Sequence, residues 1–193
     1  MTEALPYPRT LTTLHYPDPL LRRPCTAVTE FDDALADCCQ RMLAHMYQER
    51  GVGLAAPQVG ISKRFFVTDH LVQDGEPGEP RVWINPRVED GSGASVFEEG
   101  CLSVPGIYAK VTRYGSYDLV WQDVTGTEHR RCFHPGEGDF LGTVCQHELD
   151  HLDGILFVDH LSPVQLNLLR KRLKAMEKEY RKATGRAGAV LRR

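Results

Sequence analysis

A chain of 193 residues is long enough for one well-buried core and short for two, so a single domain over residues 1–193 is expected. Hydrophobic residues at 41% and charged residues at 25% are close to ordinary globular usage, so neither a disordered chain nor a membrane protein is expected, and no apolar run nears the ~20 residues with which a helix crosses a bilayer. A net charge of −3 argues against DNA or other nucleic acid as a general partner, although residues 186–193 make a locally basic tail expected to be flexible and solvated.

Residues 1–6 have no basic region followed by an apolar stretch, so a cytoplasmic protein is expected. Six cysteines in that reducing setting read as free thiols, not a disulfide framework. Pro17, Pro19 and Pro24 discourage regular structure as far as Thr29. A helix follows, with a cap at Thr29 and Asp32, an apolar stripe of Phe31, Leu35, Cys38, Met42 and Met46, and Gly51 placed to end it. Cys38 and Cys39 fall within that pattern as small core residues.

Residues 51–60 are glycine-rich and small, so they let a ligand approach the backbone closely. Their Gly-x-Gly-x-x-Ala core formally fits a dinucleotide fingerprint, but a helix precedes it where a strand is required, and Pro57 falls where the binding helix would start. Gln58 alone there offers a ligand both a donor and an acceptor. Short β-like runs follow at 64–69, 82–85, 107–113, 117–123 and 128–134, which predicts antiparallel sheet. Residues 124–127 read as a hairpin turn and 74–78 as an exposed loop. His129 and His134 read as strand residues without a ligand role, and Cys132 and Cys145 as packing residues.

Asp139 can cap a helix over 140–152, with Phe140, Val144, Cys145, Leu149 and Leu152 for apolar contacts, so a central and largely buried helix is expected. Ser162 and Pro163 then start a last helix with a Leu166, Leu169, Leu173, Met176 stripe, expected to pack outside the sheet and to end before Gly185.

The chemistry concentrates at His147, Glu148 and His151. Two histidines four residues apart share a helix face, separated by about 6 Å of rise, and can grip one metal ion. Glu148 projects about 100° away from His147, which suits a base acting on a water at that ion. Gly154 is placed to stop the helix. A catalytic site of this kind usually takes a third protein ligand. A protease pattern that continues to a later histidine fails here because Phe157 stands in its place. A later glutamate is formally available as Glu177 or Glu179, in what reads as an ordinary charged helix. Cys101, between a glycine and a short apolar run in the stretch 98–106, is the better candidate.

Three segments, GVGLAAPQ at 51–58, EEGCLS at 98–103 and QHELDHLDG at 146–154, together resemble the three signature motifs of the bacterial-type peptide deformylases. The early segment 17–22 and the long last helix extend that resemblance over nearly the whole chain; Pro57 and residues 106–108 occupy variable places. The resemblance implies Cys101, His147 and His151 as metal ligands, with iron(II) in the cell and zinc, nickel or cobalt as alternatives in purified protein. It implies hydrolysis of the formyl group from formyl-methionine at the start of nascent polypeptides, releasing formate. Glu148 would be the base, with Gln58 and the Leu102 backbone N–H as oxyanion donors. Gly53 and Gly100 would admit the substrate backbone, and Val52, Phe97 and Val144 would form a methionine pocket. Asp150 matches a family aspartate that pairs with an arginine, here Arg113. A nascent-chain substrate makes a transient ribosome contact through the basic tail an expectation. The expected fold is α+β: antiparallel β-sheets around a central metal-binding helix, with an N-terminal helix and a long C-terminal helix. A zinc endopeptidase shares the His-Glu-x-x-His helix and is the enzyme alternative. A non-catalytic metal-stabilised module, with protein filling the fourth metal position, is the alternative of another class.

Overall fold

The computed structural model describes residues 7–71, 78–189 and 191. Helix α1 (Asp33–Gln48) is capped by Asp32 and not by Thr29: the Asp32 carboxylate accepts the Leu35 N–H at 2.9 Å, which leaves no capping work for a residue three positions earlier. The stripe is as expected, with Leu35, Cys38, Cys39, Met42 and Met46 buried and Phe31 partly buried against them. At the far end the left-handed residue is Arg50 (φ 57°), not Gly51. Gly51 is needed for space instead, since a Cβ there would lie 2.9 Å from Leu102 Cδ1.

Among the described residues seven strands follow: β1 (Gly53–Ala55), β2 (Phe65–Thr68), β3 (Arg81–Ser92), β4 (Ser95–Gly100), β5 (Tyr108–Arg113), β6 (Ser116–Gln122) and β7 (Glu128–Phe133). They form an antiparallel five-stranded sheet in the order β1-β2-β3-β6-β7 and a separate antiparallel pair, β4-β5. The middle of the large sheet is buried on both faces, so β2 reads as a continuous apolar run. Phe65 and Val67 point to α1, while Phe66 and Trp83 point to the opposite face. Each such side chain contributes about 1.5–3 kcal/mol on burial, which is what holds a helix to either side.

Three local expectations need correcting. The stretch 51–60, read as a loop, contains β1 and a 3-10 turn over Ala56–Val59, in which Pro57 takes an early position that needs no N–H. The run expected to stop at Asn85 continues through Pro86 to Ser92, because a register shift between Ile84 and Arg87, with Asn85 at φ 50°, absorbs the proline. Strand β4 was not expected at all; its Glu98, Glu99 and Gly100 mask the strand pattern.

Helix α2 (Phe140–Leu152) has the predicted bounds, with the Asp139 carboxylate accepting the Gly142 N–H and Gly154 left-handed at φ 69° beyond its end. Leu141, Cys145 and Leu152 pack on the sheet face carrying Phe66, Trp83, Tyr117 and Phe133. Nearly all of the helix is buried.

Helix α3 (Pro163–Thr184) starts at a Ser162–Gln165 capping box and ends at Gly185 (φ 69°). It does not pack on the outside of the large sheet. Its Leu166, Leu169, Leu173 and Met176 meet Tyr16, Val104, Ile107, Val111 and the 3-10 turn Phe157–His160, because the large sheet's faces are already taken by α1 and α2. Among the described residues no helix is long and apolar enough to cross a membrane.

The proline-rich start forms a 3-10 turn, Pro19–Arg22, where no regular structure was expected. Cys145 is buried, but Cys132 is exposed, since β7 is an edge strand with a solvent-facing side. The hairpin turn lies where expected, with Gly126 at φ 83°. Residues 74–77 of the expected exposed loop lie outside the described residues. The basic tail meets the body, through an Ala189 N–H to Pro17 carbonyl bond of 2.9 Å and through Leu191.

Candidate metal centre

Helix α2 presents His147 and His151 on one face, and the turn after β4 brings Cys101 to them. The ligand atoms of these three residues all lie within 4.8 Å of one another, with Cys101 Sγ 3.2 Å from His151 Nε2. Metal bonds of about 2.0–2.3 Å in a tetrahedron separate neighbouring ligand atoms by about 3.5 Å, so the cluster is the right size for one ion. The imidazole rings stand at 76° with centroids 5.1 Å apart, as two ligands converging on one point require.

His147 is aimed from behind. Its Nδ1 lies 2.7 Å from Glu99 Oε2, which leaves Nε2 for the centre. Phe157, at the place where one protease class has a ligand, packs against the His147 ring with centroids 6.0 Å apart. Glu99 in turn takes a two-pronged bond from Arg113, at 2.7 and 2.8 Å, and Arg113 Nη1 donates to Asp150 on α2. The expected Arg113–Asp150 pair is therefore present, and Glu99 joins it to the histidine. Burial pushes the Glu99 carboxyl up, but the Arg113 and His147 hydrogen bonds outweigh it and hold the pKa down at about 2.

Burial opposes charge on His147, yet the Cys101 sulfur and the Glu99 carboxylate push its imidazole well above the ordinary value. Burial and the neighbouring His147 hold His151 well below it. A thiol and two imidazoles whose ligand atoms converge within 4.8 Å fit a borderline divalent cation.

Glu148 lies beside that point. It is 4% exposed, its Oε2 has no hydrogen-bond partner, and burial raises its carboxyl to about 7. Its place depends on Gly53 in β1, where a Cβ would lie 2.4 Å from Glu148 Oε1. Gln58, in the 3-10 turn after β1, is 1% exposed. Its Oε1 accepts the Ala55 N–H at 2.7 Å, and its Nε2 points to Ser103 Oγ at 3.1 Å and Cys101 Sγ at 3.5 Å. The acceptor expected to serve a ligand is therefore used within the protein, and only the NH2 group faces the site. Residues 14–16 tie the two loops together: the Leu14 N–H donates to the Gln58 carbonyl and the Tyr16 N–H to the Ser103 carbonyl.

These groups border one cavity of about 450 Å3. Cys101, Leu102, His147, Glu148 and Gln58 line it, as do all five residues expected to contact substrate: Val52, Gly53, Phe97, Gly100 and Val144. His151 sits behind the wall, reached through Cys101. Glu177, a formal ligand candidate, instead accepts the Tyr16 hydroxyl at 2.7 Å. Sequence reasoning missed Glu99 and Ser103. Glu99 was findable: it stands two residues before Cys101, on the same side of an extended chain.

A family model for polypeptide deformylase matches residues 11–167. A peptide deformylase of Stenotrophomonas maltophilia is 41% identical over 171 residues, covering 87% of this chain and 96% of its own length. One from Zymomonas mobilis is 45% identical over 168 residues, covering 84% and 92%. Among solved structures, a plant peptide deformylase superposes with a TM-score of 0.87 at 36% identity, over 94% of this chain and 97% of the other. The Plasmodium falciparum enzyme gives 0.82 at 38% identity, over 90% and 98%. The chain thus belongs to the polypeptide deformylase family, metal-dependent hydrolases that remove the N-terminal formyl group from formyl-methionyl nascent peptides.

Proposed function

We propose that Cys101, His147 and His151 hold a single ferrous ion, and that Glu148, Gln58 and Leu102 carry out the deformylation around it. The observation that carries this reading is the convergence of three ligand atoms within 4.8 Å beside a buried carboxylate whose Oε2 has no partner. When bound, the ion supplies a water of lowered pKa and polarises the formyl oxygen. Glu148 takes a proton from the attacking water and delivers it to the departing amine, so the carbonyl C–N bond breaks as the new C–O bond forms and formate leaves. Gln58 is held with its NH2 toward the site by the Ala55 N–H on its oxygen, and with the Leu102 backbone N–H it donates to the formyl oxygen as charge builds there.

Substrate enters as an extended strand. Among the described residues strand β4 pairs with β5 alone, which leaves its other edge for that strand, and Gly53 and Gly100 border the cavity beside it. Val52, Phe97 and Val144 receive the methionine side chain. The chain acts as one domain in the cytoplasm, where formylated nascent chains emerge, and its basic tail makes a transient ribosome contact. Unchanged co-sedimentation with ribosomes after removing residues 186–193 would refute that contact.

Metal analysis of protein purified without oxygen tests the centre. The expected result is one iron per chain, lost in Cys101→Ser, with activity that decays in air because a thiolate-ligated ferrous site oxidises. Full metal content in Cys101→Ser would overturn the ligand set.

A further inference from the structure

Behind the metal helix a line of polar groups runs from the surface to His147, and the mechanism uses only its inner end. From outside inward it is His160, Asp150, Arg113 and Glu99, with side-chain exposures of 34%, 15%, 4% and 5%. His160 Nε2 lies 2.6 Å from Asp150 Oδ2, the same oxygen that accepts Arg113 Nη1. The 3.3 Å between Arg113 Nη1 and His160 Nε2 is then the distance between two donors on one acceptor.

His160 is itself held. It ends the 3-10 turn Phe157–His160, in which Phe157 and Val158 are buried, and the Asp159 carboxylate accepts the Leu156 N–H at 2.9 Å. A second cavity, lined by Val88, Tyr114, Leu149, Asp150 and His160 among others, opens beside the pair. It gives Asp150 somewhere to turn if its outer partner is lost. Arg113 would then follow Asp150 or lose it, and the two-pronged bond to Glu99 that orients His147 would loosen.

We infer that His160 is a positioning residue for the metal centre, acting through Asp150 and Arg113 on Glu99 and so on the His147 ring. The inference rests on His147 being a ligand as proposed above. Removing a group that orients a metal-bound histidine typically costs about 10–100-fold in affinity, and His160 stands further out, so about tenfold is expected.

The test uses full-length protein loaded with cobalt(II), whose visible absorption reports ligand geometry, and measures metal transfer to a chromophoric chelator. His160→Leu fills similar space without a donor and should release cobalt about tenfold faster, with an altered absorption band. His160→Gln, which can still donate to Asp150, should return to the parent rate; a purely packing role would not be rescued this way. Glu99→Gln serves as the inner control and should release fastest. Parent-like release from His160→Leu while Glu99→Gln is accelerated overturns the inference alone. Parent-like release from Glu99→Gln as well overturns it together with the reading of His147 as a ligand oriented by Glu99.

Discussion

Replacing Gly53 with alanine separates the demands of folding from those of catalysis. The added Cβ would lie 2.4 Å from Glu148 Oε1, 2.9 Å from its Cδ and 2.9 Å from Val144 Cγ1. Gly53 does not have a positive φ, so the backbone accepts alanine. The atom met most closely is the end of a flexible side chain, so the fold yields mainly by moving the carboxylate by about 1 Å, with Val144 Cγ1 shifting as well. Overpacking of ~1–3 kcal/mol is then felt at its low end, and stiffening the unfolded chain returns ~0.4–1 kcal/mol, leaving stability nearly unchanged. A 1 Å misplacement of a reacting group costs about 100-fold in rate, and loss of the base costs about 100- to 10,000-fold. The expected Gly53→Ala protein is folded, holds its metal and has kcat lowered by about 100-fold or more. Urea unfolding, metal analysis and steady-state kinetics check these three points. A metal-loaded Gly53→Ala protein with parent kcat would refute the placement of Glu148 against β1 as a catalytic requirement.

Arg113→Ala leaves two nearly buried carboxylates, Glu99 and Asp150, without their shared cation, so a loss of about 3–5 kcal/mol is expected in chemical unfolding. Unchanged stability and activity would remove the idea that Arg113 fastens α2 to the β4-β5 pair. The folded Glu99 carboxyl has a pKa of about 2 against an ordinary 4.5, a depressed value whose stabilisation is present above 4.5 and is lost as pH falls toward 2. Metal-free protein should therefore lose stability across that interval and Glu99→Gln should lose less, as read from urea midpoints between those limits; parallel curves would contradict this. Gln58→Ala should lower kcat by about 100- to 1000-fold with KM little changed, and a change confined to KM would exclude oxyanion stabilisation.

The helices were legible in the sequence because their signals are local. Asp139 and Gly154 bracket α2, and Ser162 and Gly185 bracket α3, where one residue type does the terminating work. The metal-binding face was legible for the same reason, since four residues of spacing fix which side chains share a side. Resemblance in three separated segments brought Cys101 to that face; spacing alone left glutamates of α3 open. What stayed hidden depends on pairing across the fold. Strand β4 is specified by its partner β5 and not by its own acidic residues, and Glu99 acquires a role only when Arg113 and His147 arrive beside it. Gln58 was singled out for two functions, but only packing next to Ala55 decides which one is spent internally.

The most direct test of the proposed chemistry is formate release from a formyl-methionyl peptide by parent and Glu148→Ala protein, both prepared without oxygen and with bound metal counted in each. The parent should release formate rapidly, with a loss of about 100- to 10,000-fold in Glu148→Ala at equal metal content. Parent-rate release from metal-loaded Glu148→Ala would contradict it.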